Sequence, residues 1–546
     1  MKHIKKYFIF IFVFIFLFLS FLPNIYEASV SNLLPPDRTM VWGEYNYTYD
    51  YNVYLSKIRQ GQEGRFSVVD KYDNHPQQKG IFLVMIYLIS GKIGSIFNFT
   101  PTLTYHLLRV FTSVFWISII IFFNIYFLKK RSLINLGVVL SFLTASFPVF
   151  YRFQNQWWVG QYMGWWQELD ILKRISFIPH DTLNYIFISL FTILLSQIDE
   201  NKKNFYFLCI LLFLSVFVQP SAAILFIFSW CLYHLIKTIW SGSFKKNVVI
   251  KIMKQTFMIS VIVSIPLLYI QSVTSIYPWK SLIDFHTNNM IVLNIKEYIL
   301  ALGPIFFTGV AGGLLVVLKK KRELLGLVTW IIGVTITIVL FKFFPYQSLR
   351  FVQTANHIPL VILSAYLFHE LWKKNRVIKI IIVITIIMII INGLIQAYFS
   401  LKSQTQFINQ RALATLPLVP YPPQVMYPLT DFYNGLKWLE INTDRQTVVL
   451  SKITAGNYIP AYSGNFVYLG HGVETPHFDD RVKKTDEFFS GNLSEKQALR
   501  FLKTENISYV FYGPQEKENN NKDINIYSFL IPIYQTPSVI IYKIKS

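Results

Sequence analysis

Apolar runs long enough to cross a bilayer succeed one another through the first 400 residues, and they decide what this chain can be. The first is MKHIKKYFIFIFVFIFLFLSFLP. Others lie near 104–128, 132–150, 178–197, 204–219, 220–240, 252–273, 295–318, 323–343, 353–372 and 377–399. In hydrocarbon a backbone must satisfy its own N–H and C=O groups, so each run reads as a helix. With 53% hydrophobic and 15% charged residues, a soluble fold would have nowhere to hide its surface. The class is an α-helical polytopic membrane protein. A basic start before an apolar run also fits a cleaved signal peptide. No small-x-small site follows it, so the run is expected to stay as the first span.

The formal net charge of +22 suggests a nucleic-acid partner, but its placement excludes one. The basic clusters KKR, FKKN, KKKR and KKNRVIK lie in short joins between apolar runs, the positive-inside pattern that sets orientation. The ambiguous segment GIFLVMIYLISGKIGSIF, 80–97, is broken by Gly91, Lys92 and Gly94. If it crossed the membrane, every later basic join would fall outside. Lying along the interface, it leaves them all in the cytoplasm. The expectation is about eleven spans in a cell membrane, the N-terminus cytoplasmic and everything after Leu401 extracytoplasmic. Cys209 and Cys231 both sit inside apolar runs, so no disulfide framework is expected.

The outer face then collects four polar segments: 27–103, YRFQNQWWVGQYMGWWQELDILKR, SIYPWKSLIDFHTNN and FPYQSLRF. Trp and Tyr there fit an interfacial belt. Trp157, Trp158, Trp165, Trp166, Glu168 and Asp170 together also fit a cleft for a sugar or lipid headgroup, with aromatic faces beside carboxylates. From Leu401 the composition shifts to Asn, Lys, Asp and Pro. RQTVVLSK, GNFVYLGH, ISYVFYG and SVIIYKIK read as strands; TDEFFSG and SEKQALRFLKTEN read as helices, the latter capped by Ser494. The domains expected are a membrane domain over 1–400, which includes the first outer loop 27–103, and an extracytoplasmic α/β domain over 401–546.

An acid just beyond a span can serve as base for an incoming acceptor, or hold a divalent metal such as Mg or Mn. Among Asp37, Glu44, Asp50, Asp70 and Asp73 the choice is Asp50. It opens DYNVYLSKIRQG, where Tyr51, Val53, Tyr54, Leu55 and Ile58 form the apolar side of a surface helix ended by Gly61. A carboxylate at a helix N-terminus also needs no role beyond capping.

In its order of parts the chain resembles the C-type multi-spanning glycosyltransferase superfamily. The likeness is to its uncharacterised bacterial branch with an outer C-terminal α/β domain. It rests on DYNVYLSKIRQG, then GIFLVMIYLISGKIG, then the Arg-containing span entry YHLLRVFTSVFWISIIIFF, and on the tail segments GNFVYLGHGVETPHFDDR and LKTENISYVFYGPQE. Better-known members show adjacent acids in the first loop; here Tyr51 follows Asp50. The resemblance implies an inverting transfer of a sugar from a polyprenyl-phosphate-linked donor to a lipid, glycan or protein acceptor at the outer membrane face. Asp50 would be its catalytic residue.

The substrate-binding residues expected are Arg109, His106, Arg350, Trp165, Glu168, Asp170, His180 and Asp181. Arg109 and His106 lie at a span mouth and Arg350 precedes a later span, where a guanidinium can fork onto a lipid phosphate or simply snorkel. His180 and Asp181 stand at a span end beside the Trp-rich segment, where Asp181 can equally cap its helix. Asn356 and His357 are expected to face the bundle interior. His471, Glu474, His477, Asp479 and Asp480 match no zinc spacing and read as an ordinary loop. No Walker loop or GxGxxG turn is present, so a nucleotide-sugar donor is not expected. Two other classes stay open: a transporter for lipid or saccharide, with discontinuous helices and mid-membrane polar groups, and a non-catalytic scaffold or glycan-binding protein.

Overall fold

The computed structural model describes residues 2–44, 48–198, 202–242, 245–344, 346–413, 426–518 and 524–545. Residues 45–47 of the first polar loop and Pro345 of FPYQSLRF lie outside them. The chain forms two compact units. One comprises Met1–Tyr26, Arg109–Tyr269 and Met290–Thr405; the other comprises Glu27–Leu108, Ile270–Asn289 and Gln406–Ser546. This partition cuts the chain differently from a boundary at 400/401, because residues of the first polar loop pack with residues of the tail.

The first unit is helical. Among the described residues of both units, six helices are long and apolar enough to cross a membrane: Phe8–Leu33, Pro101–Leu128, Pro220–Ser241, Lys246–Val273, Arg322–Phe343 and Arg376–Ala412. A seventh is the pair Ile295–Leu302 and Pro304–Leu318, bent by 91°. The break falls at Gly303, whose φ is +73°, and a Cβ there would sit 2.0 Å from the Ala145 carbonyl oxygen. Only glycine fits both demands. The run at 132–150 yields a shorter helix, Arg131–Leu143. Helix Pro304–Leu318 meets His357–Leu371 backbone to backbone, since a Cβ on Gly312 would lie 2.1 Å from the Leu363 oxygen. Small residues at such a contact let helices close without a hydrophobic driving force.

The Trp-rich segment makes a hairpin that alternation did not announce. Strand β1, Pro148–Phe153, pairs antiparallel with β2, Gln156–Gln161. The turn residues Gln154 and Asn155 have φ of +48° and +59°, the sense that matches strand twist. Tyr151, Trp158 and Phe153 share one face of the pair, and Lys402 lies 4.3 Å from the Trp158 ring centre.

The second unit holds a five-stranded mixed sheet of β3 (Val448–Leu450), β4 (Phe466–Val467), β5 (Ile507–Tyr512), β6 (Leu530–Gln535) and β7 (Ile540–Ile544), in the order β4-β3-β5-β7-β6. The parallel part, β4-β3-β5, is crossed by helices, and β6 and β7 close it as an antiparallel pair. Its core gathers Leu450, Phe466, Tyr468, Phe488, Leu502 and Val510. Ser494 caps Glu495–Thr504 in a full capping box with Gln497.

Glu516 is buried in this unit, accepting from Lys452 N at 2.6 Å and Gly513 N at 3.0 Å. Burial pushes its pKa up from 4.5 to about 7. The folded state therefore keeps a proton that the unfolded chain releases first. The associated stability is fully present below about pH 4.5 and is lost as pH rises through 7, a change of about 3 kcal/mol. Thermal unfolding of wild-type and Glu516→Gln protein at pH 5 and pH 8 is expected to show a smaller pH difference in the variant.

Candidate functional site

Asp50 lies in the first turn of the helix Thr48–Gln62. This is not the surface helix that its apolar stripe suggests: from Tyr51 to Gln60 only Tyr54 escapes full burial. The polar side is buried because each group there has a partner. Asn52 donates to Asn457 Oδ1 at 2.7 Å, and Lys57 Nζ meets Glu474 Oε1 at 3.2 Å. Arg59 donates to the carbonyls of Ala461 and Tyr462 and to Glu440, and Gln60 bonds both backbone groups of Val69. Buried polar groups are tolerated when satisfied in this way. Nor does Gly61 end the helix. It lies inside it, where a Cβ would come within 2.1 Å of the Leu88 oxygen.

Leu88 belongs to helix Met85–Ile96, the ordered part of the 80–97 segment. Its 12 residues rise about 18 Å, well short of a hydrocarbon core of about 30 Å. A Cβ on Gly91 would in turn lie 2.0 Å from the Ile58 oxygen, so the two helices touch through their backbones at both glycines.

The carboxylate of Asp50 is 40% exposed, and its Oδ1 lies 3.3 Å from Nε2 of His471, which is only 2% exposed. The other ring nitrogen decides the proton's place. Nδ1 of His471 accepts from the backbone N–H groups of Val473, at 3.2 Å, and Glu474, at 3.3 Å. A nitrogen that accepts cannot carry the proton, so the assigned tautomer is Nε2–H and the imidazole donates to Asp50. The imidazole stacks on Tyr49 at 3.9 Å between centres, and Thr475 Oγ1 accepts from the backbone N–H groups of Gly470 and His471. Lys57 holds Glu474 from one side, and Ser281 donates to its carbonyl. Burial, with Glu474 and Asp73 near, holds Asp70 well above the usual carboxylate range. Asp73 itself is bound to Arg481 at 2.8 Å.

His471 was legible as a histidine but not as a partner of Asp50, since 421 residues separate the two. The available signal was the tight GHGVET loop, whose glycines and threonine fix a ring. Among the described residues no group of three or more His, Cys, Asp and Glu could hold a metal ion. His471 presents Asp50 with an N–H and not a lone pair. No step below runs through a metal.

In the first unit, Glu168 is buried and accepts from Gln353 Nε2, while Gln353 Oε1 accepts from Arg350 at 3.1 Å and Gln219 at 3.1 Å. Burial first, then the charge of Asp181, raises the Glu168 pKa well above its usual value. His180 Nε2 stands 3.9 Å from Asp181 Oδ1. Glu168 and Arg350, both expected, thus meet through Gln353, an unforeseen link, and the charge of Asp181, with His180 beside it, reaches Glu168. Glu168 also lines a cavity of about 20 Å³, together with Arg174, Asn356 and His357. Asn356 is interior, its side chain bonded to Trp330 and Tyr298.

The remaining expected residues have local partners. Asp170 Oδ1 accepts from Leu172 N, Lys173 N and Ser400 Oγ, a turn-forming role. Trp165 is exposed, edge-on to Trp166. Arg109 is 1% exposed, donating to Asn24 Oδ1 at 2.7 Å and lying over Phe21. His106, in the second unit, meets the Trp42 carbonyl at 2.9 Å.

No protein family and no curated protein sequence matches the chain. Solved structures do. ArnT from Cupriavidus metallidurans, bound to undecaprenyl phosphate, matches over 97% of this chain and 97% of its own, with TM-score 0.52 and 8% identity. The Archaeoglobus fulgidus oligosaccharyltransferase, tethered to an acceptor peptide containing the NVT sequon, matches over 100% and 75%, with TM-score 0.50 and 13% identity. At these identities the likeness is one of fold, and the fold is that of the C-type glycosyltransferases.

Proposed function

We propose that this protein transfers a sugar from a polyprenyl-phosphate-linked donor to a lipid, glycan or protein acceptor at the outer membrane face. The observation that carries the reading is Asp50: a half-exposed carboxylate in a helix's first turn, oriented by a histidine of fixed tautomer. In this mechanism Asp50 takes the acceptor's proton, and the acceptor atom forms its bond to the anomeric carbon. The bond from that carbon to the phosphate oxygen breaks, and polyprenyl phosphate leaves with the electron pair. One displacement inverts configuration. The Coulomb field of an arginine favours a departing phosphate. The undecaprenyl phosphate in ArnT and the acceptor peptide in the archaeal enzyme support this donor and acceptor chemistry. The reading includes about eleven spans, a cytoplasmic N-terminus and an extracytoplasmic α/β domain over 401–546, on the positive-inside argument.

Purified protein in vesicles with labelled polyprenyl-phosphate sugars and acceptor extracts tests the reading. Label should move to acceptor, with release of polyprenyl phosphate. The 91° break between Ile295–Leu302 and Pro304–Leu318 favours a second reading, a transporter, since discontinuous helices frame transport sites. Passage of intact labelled donor across the vesicle, without transfer, would select that one. EDTA is expected to leave transfer unchanged. Loss restored by Mn or Mg would make Asp50 a metal ligand and not a base.

A further inference from the structure

We infer that His471 is a positioning residue for Asp50: an imidazole of fixed tautomer that donates Nε2–H to the carboxylate and sets both its direction and its proton affinity. The inference deepens the transferase reading and rests on it for its kinetic part. Three observations carry it. The Nε2 to Oδ1 distance is 3.3 Å, with the histidine almost fully buried and the acid half exposed. Two backbone N–H groups occupy Nδ1, so taking up a second proton would break both bonds and leave two buried donors facing a cation. The ring is fixed in plane by its stack on Tyr49, and the loop under it by Thr475 and by the Lys57–Glu474 pair.

A hydrogen bond to the ionised form favours that form. The Nε2–H thus favours the ionised carboxylate over the neutral one, while a neutral donor does not add the charge that would form a tight ion pair. Other groups around the pair are Tyr49 on the same helix, Tyr72 and Asp70 from the segment after it, and Glu474 with Lys57 beside the histidine. Glu474 is bridged to Lys57, Asp70 is held towards its neutral form, and His471 bonds Asp50 directly.

The test uses the full-length protein in nanodiscs. Nitrogen NMR of labelled histidine at about pH 8, with His471 assigned by difference against His471→Gln, should show Nδ1 unprotonated and Nε2 protonated. The Asp50 carboxyl, carbon-labelled, should titrate about one pH unit higher in His471→Phe, which keeps the ring stack but has no donor. His471→Gln, which places an amide N–H near the same point, should bring that titration back towards wild type. In transfer assays the acid limb of kcat/KM should move with the Asp50 titration, with about a tenfold loss for His471→Phe below the shifted limb. A protonated Nδ1, an unmoved Asp50 titration in His471→Phe, or a glutamine variant no better than phenylalanine would each overturn the inference. The two NMR readouts do not need transfer. If they behave as expected while wild type moves no sugar, the function is wrong and the dyad stands.

Discussion

Asp50→Asn is expected to abolish transfer while the protein assembles normally. The asparagine is nearly the same size, can still accept the His471 N–H through its own oxygen, and remains a good residue at a helix start. It loses the negative charge and the capacity to take a proton. Removing a positioned general base costs about two to four orders of magnitude in rate, far beyond any capping effect. Circular dichroism and size exclusion should match wild type, so the loss is chemical. Asp37→Asn is the control, since Asp37 is largely exposed and only 4.0 Å from Arg38 at best. Asp73 is no control, because it is buried against Arg481 and its loss would strand that cation. Wild-type turnover in Asp50→Asn would remove the catalytic reading of the first loop, and loss in Asp37→Asn alone would move it to another acid.

Gly91→Leu is expected to be worse, because it removes the folded protein and not only its activity. Both close contacts between helices Thr48–Gln62 and Met85–Ile96 are made against backbone oxygens, which cannot rotate away as a side chain can. A Cβ 2.0 Å from the Ile58 oxygen forces the helices apart, and a leucine forces them further. Overpacking of this kind costs about 1–3 kcal/mol where side chains can yield, and more where they cannot. Ile58 lies two turns beyond Asp50 on the same helix, so the displacement also reaches the carboxylate. The readouts are the monodisperse fraction after extraction and the rate of limited proteolysis. Gly91→Ala should fall between, and Gly43→Ala should be silent because a Cβ there meets nothing within 4 Å. Normal yield and proteolysis for Gly91→Leu would mean that the backbone contact between the two helices does not hold the fold together.

The features legible in the sequence were those set by local pattern. Long apolar runs became helices, and the strands β3, β4, β5 and β7 were visible as β-branched and aromatic runs. Ser494 followed three residues later by Gln497 announced its capping box. Strand β6 was hidden by Pro532, which a strand accepts at the edge of a sheet. The hairpin of the Trp-rich segment was hidden because tryptophan reads as interfacial belt wherever it stands. Burial of Lys57 and Arg59 was not legible either, since a charged side chain on a helix reads as a wet face until its distant partner is known. The same limit separated Asp50 from His471. The acid carried a local cue, the start of a helix, while the histidine's cue lies in two backbone N–H groups that only the folded loop aligns.

The distance along the chain between Asp50 and His471 has a consequence for biogenesis. The ribosome makes the acid near the beginning, and the imidazole is the 421st residue added after it. Throughout that interval the carboxylate exists without its donor, and the helix that carries it lacks the tail residues that bond Asn52, Lys57 and Arg59. An incompletely translated chain, or one clipped in its last hundred residues, therefore holds the acid in an unsupported helix. On the proposed function, the pairing of Asp50 with His471 is complete only once the tail has been made and has packed on the first loop.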